Sequence, residues 1–276
     1  MSALDDFRAL RRFAVCVDSD GCAMDTMNIK HFRCFGPCMV KEWGLERWQE
    51  PILDRWNVIN LFSGTRGINR FKGLAMALTE ISARYTPIEG VELLSAWAET
   101  APELSNDAVA AKAGEHPVFE KALQWSRAVN AAIEALPPEE VKPFPHVKEA
   151  LAAAHDRADV VVVSSANPEA VREEWKRFGL LEHVDLLCTQ EMGSKEYCIG
   201  KLAEKGYGAI LMCGDAPGDA QAARKNRVYF YPILVNREDE SWKRFLDEAL
   251  DQYLNNEYAG AYQQALLTEF NANLGL

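Results

Sequence analysis

A short apolar run, FAVCVD at 13–18, stands about 140 residues ahead of the next one, and that gap constrains the fold more than any other feature of the chain. The later runs are DVVVV (159–163), VDLLC (184–188), AILMCG (209–214) and VYFYPI (228–233). Continuous apolar runs this short suit strands buried on both faces, as in a parallel sheet. Between the later runs lie helical stretches at 168–180, 194–206 and 217–226. Pro168 and Pro217 stand where a helix would start, and Gly179 and Gly206 where one would stop. Alternation of this kind predicts an α/β fold with a doubly wound parallel sheet.

The interval after the first run contains almost no strand-like segment. It holds Ala-rich stretches of helical period at 46–60, 69–84, 90–100 and 117–135, and it closes on PPEEVKPFPH (137–146), a linker with four prolines. The organisation expected is therefore discontinuous. Residues 1–26 and 141–237 form the α/β core, 27–140 form an inserted all-helical domain, and 238–276 form a helical extension whose packing the sequence leaves open.

Composition removes several function classes. The 276 residues carry 30 Lys and Arg against 41 Asp and Glu, a net charge of -11. This balance argues against broad nucleic-acid or anionic-membrane binding, which requires clustered positive charge. It leaves room for a small phosphorylated ligand held by a local patch. The longest aliphatic run, Val160 to Val163, is far short of the ~20 residues a membrane helix needs. The charged N-terminus does not read as a signal peptide. The seven cysteines are odd in number, and the CFGPC pair, Cys34 and Cys38, lacks a second pair or a His at finger spacing. Buried free thiols in a cytoplasmic protein are the expectation.

In an open parallel sheet, ligands bind beyond the carboxyl ends of the strands. The residues following the runs are Asp18-Ser-Asp20-Gly, Ser164-Ser165-Ala-Asn167, Gly193-Ser-Lys195, and Gly214-Asp215-Ala-Pro-Gly-Asp219. Each has an ordinary reading: Asp-Gly makes a turn, SSAN caps a helix, and Asp219 favours a helix start. All four in strand order form a constellation. It suits phosphoryl transfer, in which a carboxylate attacks phosphorus. A second carboxylate two residues on handles the leaving-group proton. Clustered oxygen ligands select Mg²⁺, and a lysine and hydroxyls bind phosphoryl oxygens.

The motifs VCVDSDGCAMDT (15–26), VVVVSSAN (160–167), GSK (193–195) and CGDAPGD (213–219) resemble those of the haloacid dehalogenase superfamily, in particular its phosphoglycolate phosphatase and β-phosphoglucomutase type with an inserted helical cap. The resemblance spans residues of about 12–236 and implies a set of roles. Asp18 is the nucleophile and Asp20 the general acid/base. Ser164 binds the transferring phosphoryl group, Ser165 and Asn167 bind substrate beside it, and Lys195 steadies it. Asp18, the main-chain carbonyl of Asp20 and Asp215 hold Mg²⁺, and Asp219 does so directly or through water. Glu196 stands where the family often has Pro, which leaves Lys201 as a rival to Lys195. The activity implied is a Mg²⁺-dependent phosphatase of a small phosphorylated metabolite. Asp20 argues against dehalogenase and phosphonatase chemistry. A phosphosugar mutase uses the same residues, and a non-catalytic phospholigand-binding protein would not need Asp20.

For the substrate's remaining groups, FSGTRGINRFKG (62–73) offers Arg66 and Arg70, each with the plainer reading of a solvated helix start. His31 and the trio Trp43, Trp48 and Trp56 read more readily as interior residues than as substrate contacts. The Gly206-Tyr-Gly208 pair precedes a strand instead of following one, which does not suit a dinucleotide.

Overall fold

A computed structural model describes residues 3–276. The described chain divides into two compact units, one made of 3–26 and 141–276 and the other of 27–140.

The first unit is built on one parallel sheet of five strands: β1 Phe13–Val17, β2 Asp159–Val163, β3 Leu186–Cys188, β4 Ala209–Gly214 and β5 Tyr229–Pro232. Their order is β3-β2-β1-β4-β5. The strand read from the sequence 140 residues ahead of the rest is thus the central one. Val15 is level with Val160 on one side and Leu211 on the other. β1 and β2 are buried at every residue, which explains runs with no polar alternation. The helices Val147–His155, Pro168–Arg177, Lys195–Ala203 and Pro217–Lys225 separate the later strands. β3 is shorter than the run 184–188, although the Asp185 N–H still donates to Val160 O at 2.8 Å. The Asp185 carboxylate accepts the Val160 N–H at 2.8 Å and pairs with His155 at 3.2 Å.

Residues beyond 237 belong to this unit. Trp242, Phe245, Leu250, Tyr253 and Tyr258 lie in the same buried cluster as Val15, Val17, Val160 and Leu211. The Tyr253 hydroxyl lies 2.8 Å from both Ala14 O and Ala209 O, so its one hydrogen is shared between these carbonyls at the amino ends of β1 and β4. Tyr253→Phe leaves these carbonyls without that donor. It is expected to cost about 1–3 kcal/mol, measured by denaturant unfolding, with no loss of any activity centred at the opposite edge of the sheet.

The second unit is built of helices and their connections, with no strand among its described residues. Its main helices are Gly36–Trp43, Gln49–Leu61, Arg70–Arg84, Val91–Thr100 and Pro117–Glu134, close to the expected stretches. It has its own core, in which Trp56 and Trp125 meet edge to face at 6.0 Å and Phe71 packs on Trp97 at 5.4 Å. Trp43 and Trp48 pack against this core as partly buried residues. His31 is also interior. Its ring stacks on Phe35 at 4.6 Å, and its Nδ1 accepts the Trp56 indole N–H at 3.1 Å. All seven cysteines are free, and only Cys38 is partly exposed. Among the described residues no helix is long and apolar enough to cross a membrane.

Candidate active site

The parallel sheet brings the ends of β1, β2 and β4 to one edge, so Asp18, Ser164 and Asp215 follow neighbouring strands. Asp18 is held by both chain and side chains. Its N–H donates to Cys213 O at 3.0 Å, and its Oδ1 accepts the Ser19 N–H at 2.8 Å. The chain then folds tightly back. Ala23 and Met24 N–H donate to Ser19 O at 3.0 and 2.8 Å, and Gly21 N–H donates to Met24 O at 2.8 Å. Gly21 has φ +80°, a left-handed conformation that glycine adopts without steric cost. Where the chain leaves and re-enters the unit, Asp25 N–H donates to Lys142 O and Phe144 N–H to Ala23 O. This loop carries Asp20, whose Oδ1 accepts the Thr26 hydroxyl at 2.6 Å. Thr26 is fully buried, so it fixes the half-buried Asp20 carboxylate from behind.

The centre of the site is a charge cluster. Asp18, Asp215 and Asp219 are all buried and offer carboxylate oxygens within 4.8 Å of one another. Lys195 reaches into it, with Nζ 2.7 Å from Asp18 Oδ2 and 2.6 Å from Asp219 Oδ1. Burial drives the Asp18 carboxyl well above its ordinary range. Asp219 and Asp215 push the same way, and Lys195 opposes them. Burial alone would lower the Lys195 ammonium, but Asp18 and Asp219 outweigh it and hold the lysine charged. Ionised, the three carboxylates exceed the one ammonium by two negative charges. A buried excess of this size is costly unless a cation balances it. A divalent ion with a preference for oxygen fits both the charge and the donor chemistry.

Asp219 is committed at both oxygens. Oδ1 takes Lys195, and Oδ2 accepts the Ala216 N–H at 3.1 Å, which also closes the start of the helix Pro217–Lys225. It therefore holds Lys195 in place besides lying beside Asp18 and Asp215. Gly214 makes this possible. A Cβ there would sit 2.5 Å from Asp219 Cβ and 2.6 Å from Asp219 Oδ2. Gly214→Ala is expected to displace Asp219, destabilising the fold by about 1–3 kcal/mol. It is also expected to weaken divalent-cation binding by the carboxylate cluster at least tenfold, measured by calorimetric titration. Unchanged binding would show that Asp219 gives way without consequence.

The remaining expected residues divide. Ser164 is buried, and its Oγ accepts the Ala166 N–H at 3.1 Å. Ser165 is exposed at the same strand end. Asn167 caps the helix Pro168–Arg177, accepting Glu169 and Ala170 N–H at 2.9 and 3.2 Å. Lys201, the rival to Lys195, lies away from the carboxylates in an ion pair with Glu204. Arg66 and Arg70 lie in the helical unit. Arg66 is buried and donates to Leu61 O at 2.9 Å. Arg70 donates to Ser126 Oγ and Asn130 Oδ1 at 3.1 and 2.7 Å and stacks over Phe35, so burial lowers its pKa. The motifs at 15–26 and 213–219 contain Thr26 and Gly214 without giving either a role. The demand for glycine at 214 comes from Asp219, brought back by a helix turn.

The profile of the haloacid dehalogenase-like hydrolases matches residues 96–233, half of the chain. That span holds Ser164, Lys195, Asp215 and Asp219. Two solved structures share the fold. A haloacid dehalogenase-like family hydrolase from Streptococcus pneumoniae is 14% identical with a TM-score of 0.52, over 84% of this chain and 90% of that one. A protein described as a predicted phosphatase from Clostridium acetobutylicum is 15% identical with a TM-score of 0.51, over 89% and 99%. At these identities the likeness is one of fold. No curated protein sequence matches the chain. With the matched profile covering half the sequence, the chain belongs to the haloacid dehalogenase-like hydrolase family.

Proposed function

We propose that this protein is a Mg²⁺-dependent phosphatase acting on a small phosphorylated metabolite. The observation that carries the reading is the buried cluster of Asp18, Asp215 and Asp219 with Lys195 bridging two of them. Asp18, Asp215 and the main-chain carbonyl of Asp20 would hold the ion, with Asp219 acting through water. When bound, Mg²⁺ supplies positive charge that lets an anionic carboxylate approach an anionic phosphate.

A carboxylate oxygen of Asp18 attacks phosphorus, and the bond from phosphorus to the ester oxygen breaks. Asp20, oriented by Thr26, gives its proton to that leaving oxygen. The product is an aspartyl phosphate on Asp18. Asp20, now a carboxylate, takes a proton from water, the water oxygen attacks phosphorus, and the bond to Asp18 breaks to release phosphate. Lys195 and the Ser164 hydroxyl bind phosphoryl oxygens throughout. Ser165 lies beside them. Asn167 contributes by fixing the helix start. Arg66 and Arg70 remain the proposed contacts for a second anionic group of the substrate, Arg70 at the cost of its bonds to Ser126 and Asn130.

The test is release of phosphate from an aryl phosphate and a panel of phosphorylated metabolites, with Mg²⁺ and with a chelator. Turnover that disappears with chelator and returns with Mg²⁺ supports the reading. Turnover that persists in chelator, or isomerisation of a sugar phosphate only in the presence of a bisphosphate, overturns it, the latter in favour of a mutase.

A further inference from the structure

The carboxyl-terminal extension reaches the catalytic loop. Trp242 lies on the helix Glu238–Arg244, beyond the end of the family match at residue 233. Its indole N–H donates to Cys22 O at 2.9 Å, across 220 residues of sequence. Trp242 and Cys22 are both fully buried. The carbonyl belongs to the loop that runs from Asp18 through Asp20 and Gly21, two residues past the proposed acid/base. A second tryptophan grips the same loop, for Trp175 donates its indole N–H to Ser19 Oγ at 2.9 Å.

The helix that carries Trp242 is itself tied to the sheet. Tyr231 donates its hydroxyl to Ser241 O at 2.5 Å, and Leu234 N–H donates to Ser241 Oγ at 3.0 Å. Arg237 and Arg244 both pair with Glu269 on the last helix. The Trp242 ring packs edge to face on Phe245 at 5.5 Å. The indole N–H is therefore a fixed donor referred to the frame of β5, aimed at a loop whose own turns leave the Cys22 carbonyl pointing inward.

We propose that Trp242 is a positioning residue, through which the carboxyl-terminal extension sets the loop bearing Asp18 and Asp20 in its reactive geometry. A buried carbonyl that loses its donor seeks another, and the loop moves with it. A displacement of about 1 Å at reacting groups can cost on the order of a hundredfold in rate. The proposal rests on the reading of Asp18 as nucleophile, and the experiment separates the two.

Full-length Mg²⁺-loaded protein is compared with Trp242→Phe, with replacement of Trp242 by 3-benzothienylalanine, with Tyr253→Phe and with Asp18→Asn. The benzothienyl ring keeps the indole's shape and puts sulfur in place of the N–H, so it preserves folding if phenylalanine does not. Tyr253→Phe removes another hydrogen bond from the extension to buried carbonyls, at the far end of the sheet. Two quantities are read: kcat for aryl phosphate, and amide hydrogen exchange of the peptide covering 18–26. Both Trp242 replacements are expected to lower kcat about ten- to a hundredfold with KM changed less than threefold, and to speed exchange of the loop peptide about tenfold while residues 209–214 keep their protection. Tyr253→Phe keeps kcat within twofold of the native protein. Native kcat and loop exchange in the Trp242 variants overturn the proposal while Asp18→Asn, if inactive, leaves the nucleophile standing. An equal loss of kcat in Tyr253→Phe overturns it as general softening. Turnover surviving in Asp18→Asn removes the nucleophile reading and this proposal together.

Discussion

Asp18→Asn is expected to lower kcat by on the order of 10⁴-fold or more while the protein remains folded. An amide oxygen is a poor nucleophile, and removing the attacking group of a covalent mechanism costs losses of this scale. The shape of the side chain is retained, and Oδ1 can still accept the Ser19 N–H that holds it. The substitution also removes one negative charge from a cluster of three buried carboxylates. Thermal melting of the metal-free protein should therefore hold or rise, even as activity vanishes. Mg²⁺ binding, measured by calorimetry, should weaken. A rate within tenfold of the native protein would mean that another group attacks phosphorus. A large fall in melting temperature would mean that the loss reflects misfolding.

Lys195→Met should combine a loss of activity with a loss of stability. Lys195 is the counter-ion of both Asp18 and Asp219, at 2.7 and 2.6 Å, and its side chain is only 19% exposed. Removing one partner of a buried ion pair leaves an uncompensated charge, at about 3–5 kcal/mol. Methionine keeps much of the volume, so the effect reports charge and not a cavity. In the proposed mechanism Lys195 binds the phosphoryl group, and losing that cation should cost about 10²–10³-fold in kcat. Because the variant carries more unbalanced negative charge, saturating Mg²⁺ should raise its melting temperature more than it raises that of the native protein. Any ion that binds only the folded state stabilises it by mass action. Lys201→Met is the control. Lys201 pairs with Glu204 at the surface, and its replacement should leave activity and melting unchanged. Equal melting of native and Lys195→Met proteins in chelator would show that the carboxylates are not the buried, unbalanced set described.

That the residues of the candidate site converge was legible in the sequence, for a geometric reason. In a parallel sheet every strand ends at the same edge. Residues that follow FAVCV, DVVVV and AILMCG are therefore neighbours in space, although Asp18 and Ser164 are 146 positions apart in the chain. Strand–turn–carboxylate is a local pattern, and local patterns are what a sequence displays. The same logic located the helical unit, since its 3.6-residue periods are local too. The functions of Asn167 and Gly214 were harder to read. Asn167 carries an amide that suits a substrate contact equally well, yet two backbone N–H groups of the next helix claim its oxygen. Gly214 was read as part of a motif, and its reason is a contact with Asp219.

The sequence by itself determined the number and type of the strands, the helical character of residues 27–140, and the set of oxygen-bearing residues that meet at one edge. These follow from short-range burial and backbone preference. The tertiary structure alone decided that β1 is the central strand, that Lys195 bridges Asp18 to Asp219, and that residues beyond 237 close on the sheet with Trp242 against the Cys22 carbonyl. Each of these is a pairing between distant segments. Pairing depends on which buried surfaces and unpaired polar groups find each other in three dimensions, and no period or spacing along the chain encodes that choice.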